Sequence, residues 1–456
     1  MSAAGEARLR QDARAVLSAN DRGGYTVPTA GLYPFQWNWD SAFVALGFAT
    51  WDCDRALTEL ERLVEGQWPD GMIPHIVFHR PSETYFPGPE VWGTGTRIRA
   101  GGPATSGITQ PPVFATALRF VWEAMPDVTR HDRLQRAARL YRAALAWHRW
   151  WVGARDPLRT GLVGVLHTWE TGSDNSPAWD AALSRVPTTT NTCIRRKDTG
   201  HVEAAMRPRD VDYQRYIHLV DTYRAAGWDP ARQWAVAPFK VAEVQTTAIL
   251  ARATEDLAEL SSALGSDTEA AELVGMRQRL CAGLQRQWRP GLGRFVSRDL
   301  VAGRDIETAT HAGFVPLLAL DCDETTRTAA VAEMARWLAD VRLGLPTVPR
   351  SSPDFEAKRY WRGPVWAIIN WLLILGLRRN ACPDLAERLR ADTLAAIERV
   401  GFAENFDPLT GEGGGAGSFS WTAAAYLVLS DNDARRDSFR RLDAQRDSRR
   451  PRPLTL

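Results

Sequence analysis

Apolar residues recur at helical spacing along almost the whole chain. Leu57, Leu60, Leu63 and Val64 form one stripe at i, i+3, i+4 steps, Leu118, Val121 and Trp122 belong to a second, and Leu134, Ala138, Leu145 and Ala146 extend a third. The same period predicts helices over about 210–226, 240–264, 267–287, 306–320, 324–340, 364–378, 384–399 and 421–430. Asp229-Pro230, Gly291 to Gly293, Pro346 to Pro353 and Gly411 to Gly417 punctuate them, giving roughly a dozen helices. No alternation of strand with helix is visible, which excludes a parallel α/β sheet and predicts an all-α closed array of helical hairpins. Two stretches, 66–112 and 160–207, lack the period and are dense in Trp, Tyr, Gly and Pro. Loops of that length inside a compact protein are usually functional. No compositional break divides residues 1–434, which read as a single domain. From Arg435 to Pro453 eight arginines alternate with Asp and Pro, so 435–456 is expected to be a solvated, frayed tail.

Composition narrows the partners. The net charge of +2, with both signs interspersed, gives no electrostatic reason for nucleic acid or an anionic membrane, so a small molecule is the expected partner. The first residues carry Glu6, Arg8, Arg10, Asp12 and Arg14 where an export signal needs an apolar run, and no stretch is long and apolar enough for a transmembrane helix. Cys53, Cys193, Cys281, Cys322 and Cys382 are odd in number and irregularly spaced, as reduced thiols would be. These features predict a cytoplasmic protein; a homo-oligomer is left open. The 19 tryptophans outnumber the 15 phenylalanines and the 9 tyrosines. Large flat rings serve either to fill a core or to stack on the apolar faces of sugars.

The common cofactor motifs are missing. GxxxxGKS, HExxH and GxSxG do not occur, and GEGGGAG, from Gly411, lacks the preceding strand that a dinucleotide site needs. His75 and His79 are four apart, but no other ligand cluster accompanies them, so neither a metal nor another cofactor is expected. What remains are three segments rich in carboxylates and indoles. In FQWNWDSAF, Trp37 and Trp39 precede Asp40 and Ser41, which suit either the capped start of a helix or a carboxylate accepting two vicinal sugar hydroxyls beside a stacking indole. In WETGSDNSPAWD, any of Glu170, Asp174 and Asp180, desolvated by a neighbouring indole, could stay protonated near neutrality and act as a general acid. GFAENFDPLTGEGGGAGSFSWTAA offers Glu404, Asp407 and Glu412 as partners, and glycosidic hydrolysis by the usual route requires two carboxyls flanking the bond.

These segments, with DGMIPH (Asp70 to His75), GITQPP (Gly107 to Pro112) and YWRGPVW (Tyr360 to Trp366), resemble glycoside hydrolase family 63, most closely the mannosylglycerate and glucosylglycerate hydrolases. They occur in family order from about residue 33 to 424. The resemblance implies an (α/α)6 barrel whose long loops form the active site at one mouth. It assigns the general acid to Asp174 and the general base to Glu404, in an inverting enzyme whose two carboxyls stand about 6.5 to 9.5 Å apart. It implies that Trp37, Trp39, Asp40, Gln110, Gly172, Trp361, Gly363 and Trp366 hold the hexose, and that Tyr33, His75, Tyr85, Arg207, Tyr213 and Tyr360 surround the aglycone. The substrate implied is a small acidic glycoside such as glucosylglycerate or mannosylglycerate, cleaved to hexose and glycerate. Arg207 would then grip the glycerate carboxylate with two parallel hydrogen bonds. Two stretches depart from the family: Asn405 stands where a ring commonly follows the base, and Pro238 to Leu250 is altered.

The nearest alternative is an α-glucosidase of the same family acting on a neutral oligosaccharide or a trehalose-like disaccharide. Trehalases carry a segment like ESGWDFSSRW where this chain has ETGSDNSPAW, and a QWDxPNGW motif that is not found here. A polysaccharide lyase would abstract a proton with Tyr or His and need no paired acids, and a sugar-binding protein without activity would have no use for both Asp174 and Glu404.

Overall fold

The computed structural model describes residues 3–125 and 131–431. The expected arginine-rich tail, 435–456, lies outside the described residues.

Six segments form the inside of the molecule. The helix Asn38–Phe48 is buried on every side; it packs on Phe114–Ala124, which packs on Val244–Leu264. That helix meets the short turn Val315–Leu318, which meets Ala367–Arg379. Ala367–Arg379 packs on Ser420–Leu429, and Ser420–Leu429 returns to Asn38–Phe48, closing the circuit. A second set of helices covers the first: Ala3–Asn20 on Ser420–Leu429, Cys53–Val64 on Asn38–Phe48, His131–Ala154 on Phe114–Ala124, Asp267–Gln285 on Val244–Leu264, and Pro383–Val400 on Ala367–Arg379. Helices apolar all round stay inside, whereas amphipathic ones lay a single stripe on them. Cys53–Val64 is of the second kind, burying Ala56, Leu57, Leu60 and Leu63.

The ends of these helices follow local chemistry. Asp229 accepts from the Arg232 amide at 2.9 Å with Pro230 as the first helical residue, and Asp323 accepts from the Thr326 amide at 2.7 Å. Both satisfy amides that lack an intrahelical partner. Ser41, expected to cap the helix that starts near it, instead donates to Glu59 at 2.6 Å; the position before the helix is taken by Trp37, with no side-chain cap.

Two helical expectations need correction. The stripe drawn through Leu134, Ala138, Leu145 and Ala146 has the wrong phase: Leu134 is exposed, and His131–Ala154 buries Ala137, Leu140, Tyr141, Ala144, Leu145, Trp147, His148, Trp150 and Trp151. The indoles at the helix's second half, with far more surface to remove from water than alanine, set the buried face. The span 306–320 contains only the 3-10 turns His311–Gly313 and Val315–Leu318. Pro316 donates no amide and disfavours the α conformation for the residue before it.

The stretches 66–112 and 160–207 are ordered by small antiparallel sheets. Gln36–Trp37 pairs with Ile76–Phe78, which pairs with Ala104–Thr105, so the first long segment is clipped to the start of helix Asn38–Phe48. Gly164–Val165 pairs with Val241–Ala242, which continues to Ser297–Asp299 and Arg304–Ile306. Strands of two or three residues are too short for an alternating pattern to register in sequence. Among the described residues all the strand pairings are antiparallel, and no helix is long and apolar enough to cross a membrane. All five cysteines are free thiols.

Candidate active site

The two long segments, the first turn of helix Asn38–Phe48 and the segment 401–421 converge on one cavity. Its lining brings together residues as far apart in sequence as Tyr33 and Trp421.

Three carboxylates reach the cavity: Asp40, Asp174 and Glu404. Glu170, Asp180, Asp407 and Glu412, equal candidates on chemistry, do not. Glu170 is an interior ion pair, accepting from Arg155 Nη2 and the Leu166 amide at 2.7 Å each. Asp180 faces outward and is gripped by both Nη atoms of Arg362 at 2.9 Å. Asp407 caps its own turn through the Leu409 amide, and Glu412 pairs with Lys358 on the surface. Tertiary partners thus remove three of the candidate acids and a local turn removes the fourth.

The three that remain are electrostatically unlike. Glu404 is fully buried and held at both oxygens: Tyr33 Oη donates to Oε1 at 3.2 Å, the Ala416 amide donates to Oε2 at 3.1 Å, and Arg207 Nη1 stands 3.8 Å from Oε1. Burial raises its pKa above the ordinary glutamate value, while Arg207 and the two donors act against that rise. The Asp174 carboxyl receives no hydrogen bond from another residue's side chain among the described residues, while the backbone carbonyl of Asp174 accepts from Tyr216 Oη at 3.0 Å. Its carboxyl is pushed up to about 7, chiefly by burial and further by the charge of Glu404, with Arg207 opposing. Asp40 lies in the first turn of its helix and lines the cavity as well, so the two roles open to it in sequence are compatible. Burial, followed by the charges of Glu404 and Asp174, raises it well above the usual carboxylate range.

Arg207 sits at the centre of a cluster of phenols. Its Nε donates to Asp198 at 3.0 Å and its Nη1 to Tyr33 Oη at 2.8 Å, while its plane lies over the Tyr360 ring at 4.3 Å. Tyr33 Oη is also 3.2 Å from Tyr360 Oη, so one hydroxyl joins the arginine, the glutamate and the second phenol. Among the described residues nothing takes up the hydrogens on Arg207 Nη2. Tyr360 holds this place with φ at +42°, a conformation uncommon for an aromatic residue.

Aromatic rings make the walls. Trp37 meets Tyr85 edge-on at 5.1 Å, and His75 stacks on Trp169 at 6.0 Å. Burial keeps His75 well below the ordinary histidine value and therefore neutral. His79 is elsewhere, stacked on Tyr25 and hydrogen-bonded to Gln36 at 2.7 Å. Gln110 accepts from the Trp39 amide at 3.2 Å, which leaves its NH2 to donate. Tyr213 completes the side near Arg207. Gly172 has φ at +71°, and a Cβ there would fall 2.6 Å from the Trp39 indole.

Trp361 lines the cavity; Trp366 and Gly363 do not. Trp366 lies behind Trp361, the two indoles parallel at 4.0 Å, and supports it from the core. Gly363 is needed by the backbone, since a Cβ there would come 2.5 Å from the Glu356 carbonyl oxygen. Four lining residues escaped the sequence reading: Pro28, Trp169, Phe419 and Trp421. Trp169 and Trp421 stand in the motifs WETGSD and FSWTAA; for Trp169, an indole beside the candidate Glu170 was the available signal. The glycine run 411–417 also has a part in the site. Gly415, with φ at +69°, leaves no room for a Cβ beside the Glu404 carboxylate, and the next amide, of Ala416, donates to that carboxylate. Asn405 pairs with Gly414 in the short ribbon that carries Glu404. In the altered stretch 238–250, Glu243 caps helix Val244–Leu264 through the Gln245 amide, and Gln245 Nε2 donates to the Thr171 carbonyl at 3.0 Å beneath the Asp174 loop.

Known proteins share this design. A model of the mannosylglycerate hydrolase MGH1-like glycoside hydrolase domain matches residues 33–422. A mannosylglycerate hydrolase of Thermus thermophilus is 49% identical over 414 residues, covering 90% of this chain and 98% of its own, and the glucosylglycerate hydrolase of Mycolicibacterium hassiacum is 36% identical over 437 residues, covering 92% and 97%. The crystal structure of the GH63 mannosylglycerate hydrolase from a second strain of Thermus thermophilus, in complex with Tris and D-glycerate, superposes with a TM-score of 0.88 at 48% identity, covering 93% of this chain and all of that one. With a family model spanning most of its length and such relatives aligned nearly end to end, the chain belongs to the MGH1-like glycoside hydrolases of family GH63.

Proposed function

We propose that this chain hydrolyses the α-glycosidic bond of a small acidic glycoside, glucosylglycerate or mannosylglycerate, to free hexose and glycerate with inversion. The observation that carries the reading is the contrast between two carboxylates in one cavity. Asp174 lacks a side-chain donor and is pushed up to about 7, so it keeps a proton for a leaving oxygen near neutrality. Glu404 is oriented by Tyr33 and Ala416 beside the charge of Arg207, as a carboxylate that must accept a proton should be. Glu404 takes a proton from a water that attacks the anomeric carbon. The carbon–oxygen bond to glycerate breaks, and its electron pair captures the proton of Asp174. The proton gained by Glu404 then returns to Asp174 through solvent.

Asp40 and Gln110, beside Trp39 and Trp361, supply paired acceptors, donors and flat rings for a hexose, and the NH2 edge of Arg207 faces a carboxylate-bearing aglycone. Glycerate bound to the Thermus enzyme, and the names of the relatives, support that choice of aglycone. We read the closed circuit of inner helices with its outer cover as an (α/α)6 barrel and a single catalytic domain. The test is incubation with glucosylglycerate, mannosylglycerate, trehalose and kojibiose, following released hexose. Hydrolysis confined to one or both acidic glycosides is expected; cleavage of trehalose or kojibiose alone overturns the substrate. Proton NMR of the first-formed anomer checks inversion, and a retained configuration refutes the roles given to the two carboxylates.

A further inference from the structure

Arg207 is not held by the cavity alone. Behind it, Asp198 accepts from Arg207 Nε at 3.0 Å through Oδ2. The same oxygen accepts from Arg196 Nη2 at 2.8 Å, and Oδ1 accepts from Arg196 Nε at 3.1 Å. Arg196 in turn donates to the carbonyl of Pro208, the residue after Arg207, at 2.9 Å, and to Asp210 at 2.7 Å, and lies over the Tyr213 ring at 4.1 Å. The segment that delivers Arg207 is therefore closed on itself by two guanidiniums sharing one carboxylate. Burial pushes the Asp198 carboxyl up, but the two guanidiniums outweigh it and hold the group below the ordinary aspartate value, so it is ionised whenever the enzyme works.

A guanidinium has five N–H groups in a fixed planar fork, and fixing one edge fixes the rest. Asp198 takes the Nε edge and Tyr33 takes one Nη1 hydrogen; Tyr360 fixes the plane from its face. The edge left over is Nη2. We infer that Asp198 is a specificity-determining positioning residue, which by clasping Arg207 Nε presents the Nη2 edge to the carboxylate of an acidic aglycone. This rests on the substrate reading above. Asp198 does not line the cavity and acts only through Arg207. Its removal weakens recognition of the aglycone carboxylate and leaves the hexose subsite in place.

The experiment compares the wild-type enzyme with Asp198→Asn, Asp198→Glu and Arg196→Gln. It reads kcat and KM on whichever glycoside of glycerate the wild type cleaves, and inhibition constants for D-glycerate and for the free hexose. In Asp198→Asn, KM and the glycerate inhibition constant rise together by roughly 10- to 100-fold, as expected for loss of a charge-assisted positioning bond, whereas the hexose inhibition constant stays within about threefold. Arg196→Gln, which leaves the Asp198–Arg207 bond in place, shifts the same two constants in the same direction by less, and Asp198→Glu recovers part of the loss. Equal weakening of glycerate and hexose in Asp198→Asn marks a collapsed segment and overturns the inference, as do unchanged constants in that variant. Should Asp198→Asn not fold, Arg196→Gln decides by the same pair of inhibition constants. A wild-type enzyme that neither cleaves a glyceric glycoside nor binds glycerate overturns the substrate reading and this inference with it; a wild type that does both, beside variants indifferent to glycerate, overturns this inference alone.

Discussion

Replacing Asp174 by asparagine removes a carboxyl that the fold keeps protonated against its intrinsic acidity. An unperturbed aspartate ionises at 3.8, whereas Asp174 is pushed up to about 7, burial being the main cause. Between those values the folded protein holds a proton that the unfolded chain has already released. Stability therefore falls as pH rises through this window, and the whole cost is present above about pH 7. At 1.36 kcal/mol per pH unit the gap amounts to about 4 kcal/mol, and contact with water at the cavity mouth trims it to about 2 to 4 kcal/mol. Asparagine has nearly the same shape and no charge to bury, so the variant is more stable than the wild type by that amount at pH 8 and no more stable near pH 4. With roughly 2.1 cal/mol/K per residue of unfolding entropy, 456 residues make 1 kcal/mol worth about 1 °C, so the expected gain in Tm is about 2 to 4 °C at pH 8. Thermal melts of both proteins from pH 4 to 8 measure it, and hydrolysis by the variant falls by a factor on the order of 100 to 10,000 because the leaving oxygen loses its acid. A Tm difference that does not grow with pH, or a variant less stable at pH 8, refutes the account of how Asp174 stays protonated.

Because Asp174 must be protonated and Glu404 ionised, kcat/KM follows a bell whose alkaline limb lies near pH 7 and whose acid limb lies above the ordinary glutamate value. Arg207 lowers both carboxyls, so Arg207→Met moves both limbs to higher pH, and limbs that stay in place in a pH–rate series contradict the coupling. Tyr33→Phe deletes the hydroxyl that joins Arg207, Glu404 and Tyr360; steady-state kinetics are expected to show a fall in kcat/KM of roughly 10- to 100-fold with an unchanged circular dichroism spectrum. Gly415→Ala drives a methyl group against the Glu404 carboxylate, so kcat drops on the order of 100-fold, and full activity would show that the base has more room than described.

How far the sequence reveals this enzyme depends on the range over which each signal acts. The buried side of Cys53–Val64 was legible because its apolar residues meet the core at a single period, and Asp229-Pro230 was legible as a break in the helical run, whereas the short helix Pro230–Val236 that it starts went unread. In His131–Ala154 the period was right and the phase wrong, since which side faces inward is decided by the helix it packs on. The site obeys the same rule more strictly. Glu170, Asp174 and Asp180 share one turn-rich segment and one chemistry; Arg155 claims the first and Arg362 the third from distances no local pattern encodes, and Asp174 is left facing the cavity. Its acidity is likewise set by burial, with the charge of Glu404 adding to it and that of Arg207 opposing, and this surrounding exists only in the folded chain. The glycine run makes the point in reverse. Read alone, GEGGGAG is a failed nucleotide motif; placed in the fold, its missing side chains are what let a backbone amide reach the Glu404 carboxylate. Motif order identified the family because it samples all of these long-range contacts at once, and for that reason it singled out Asp174 and Glu404 where the chemistry of each segment alone left several acids equal.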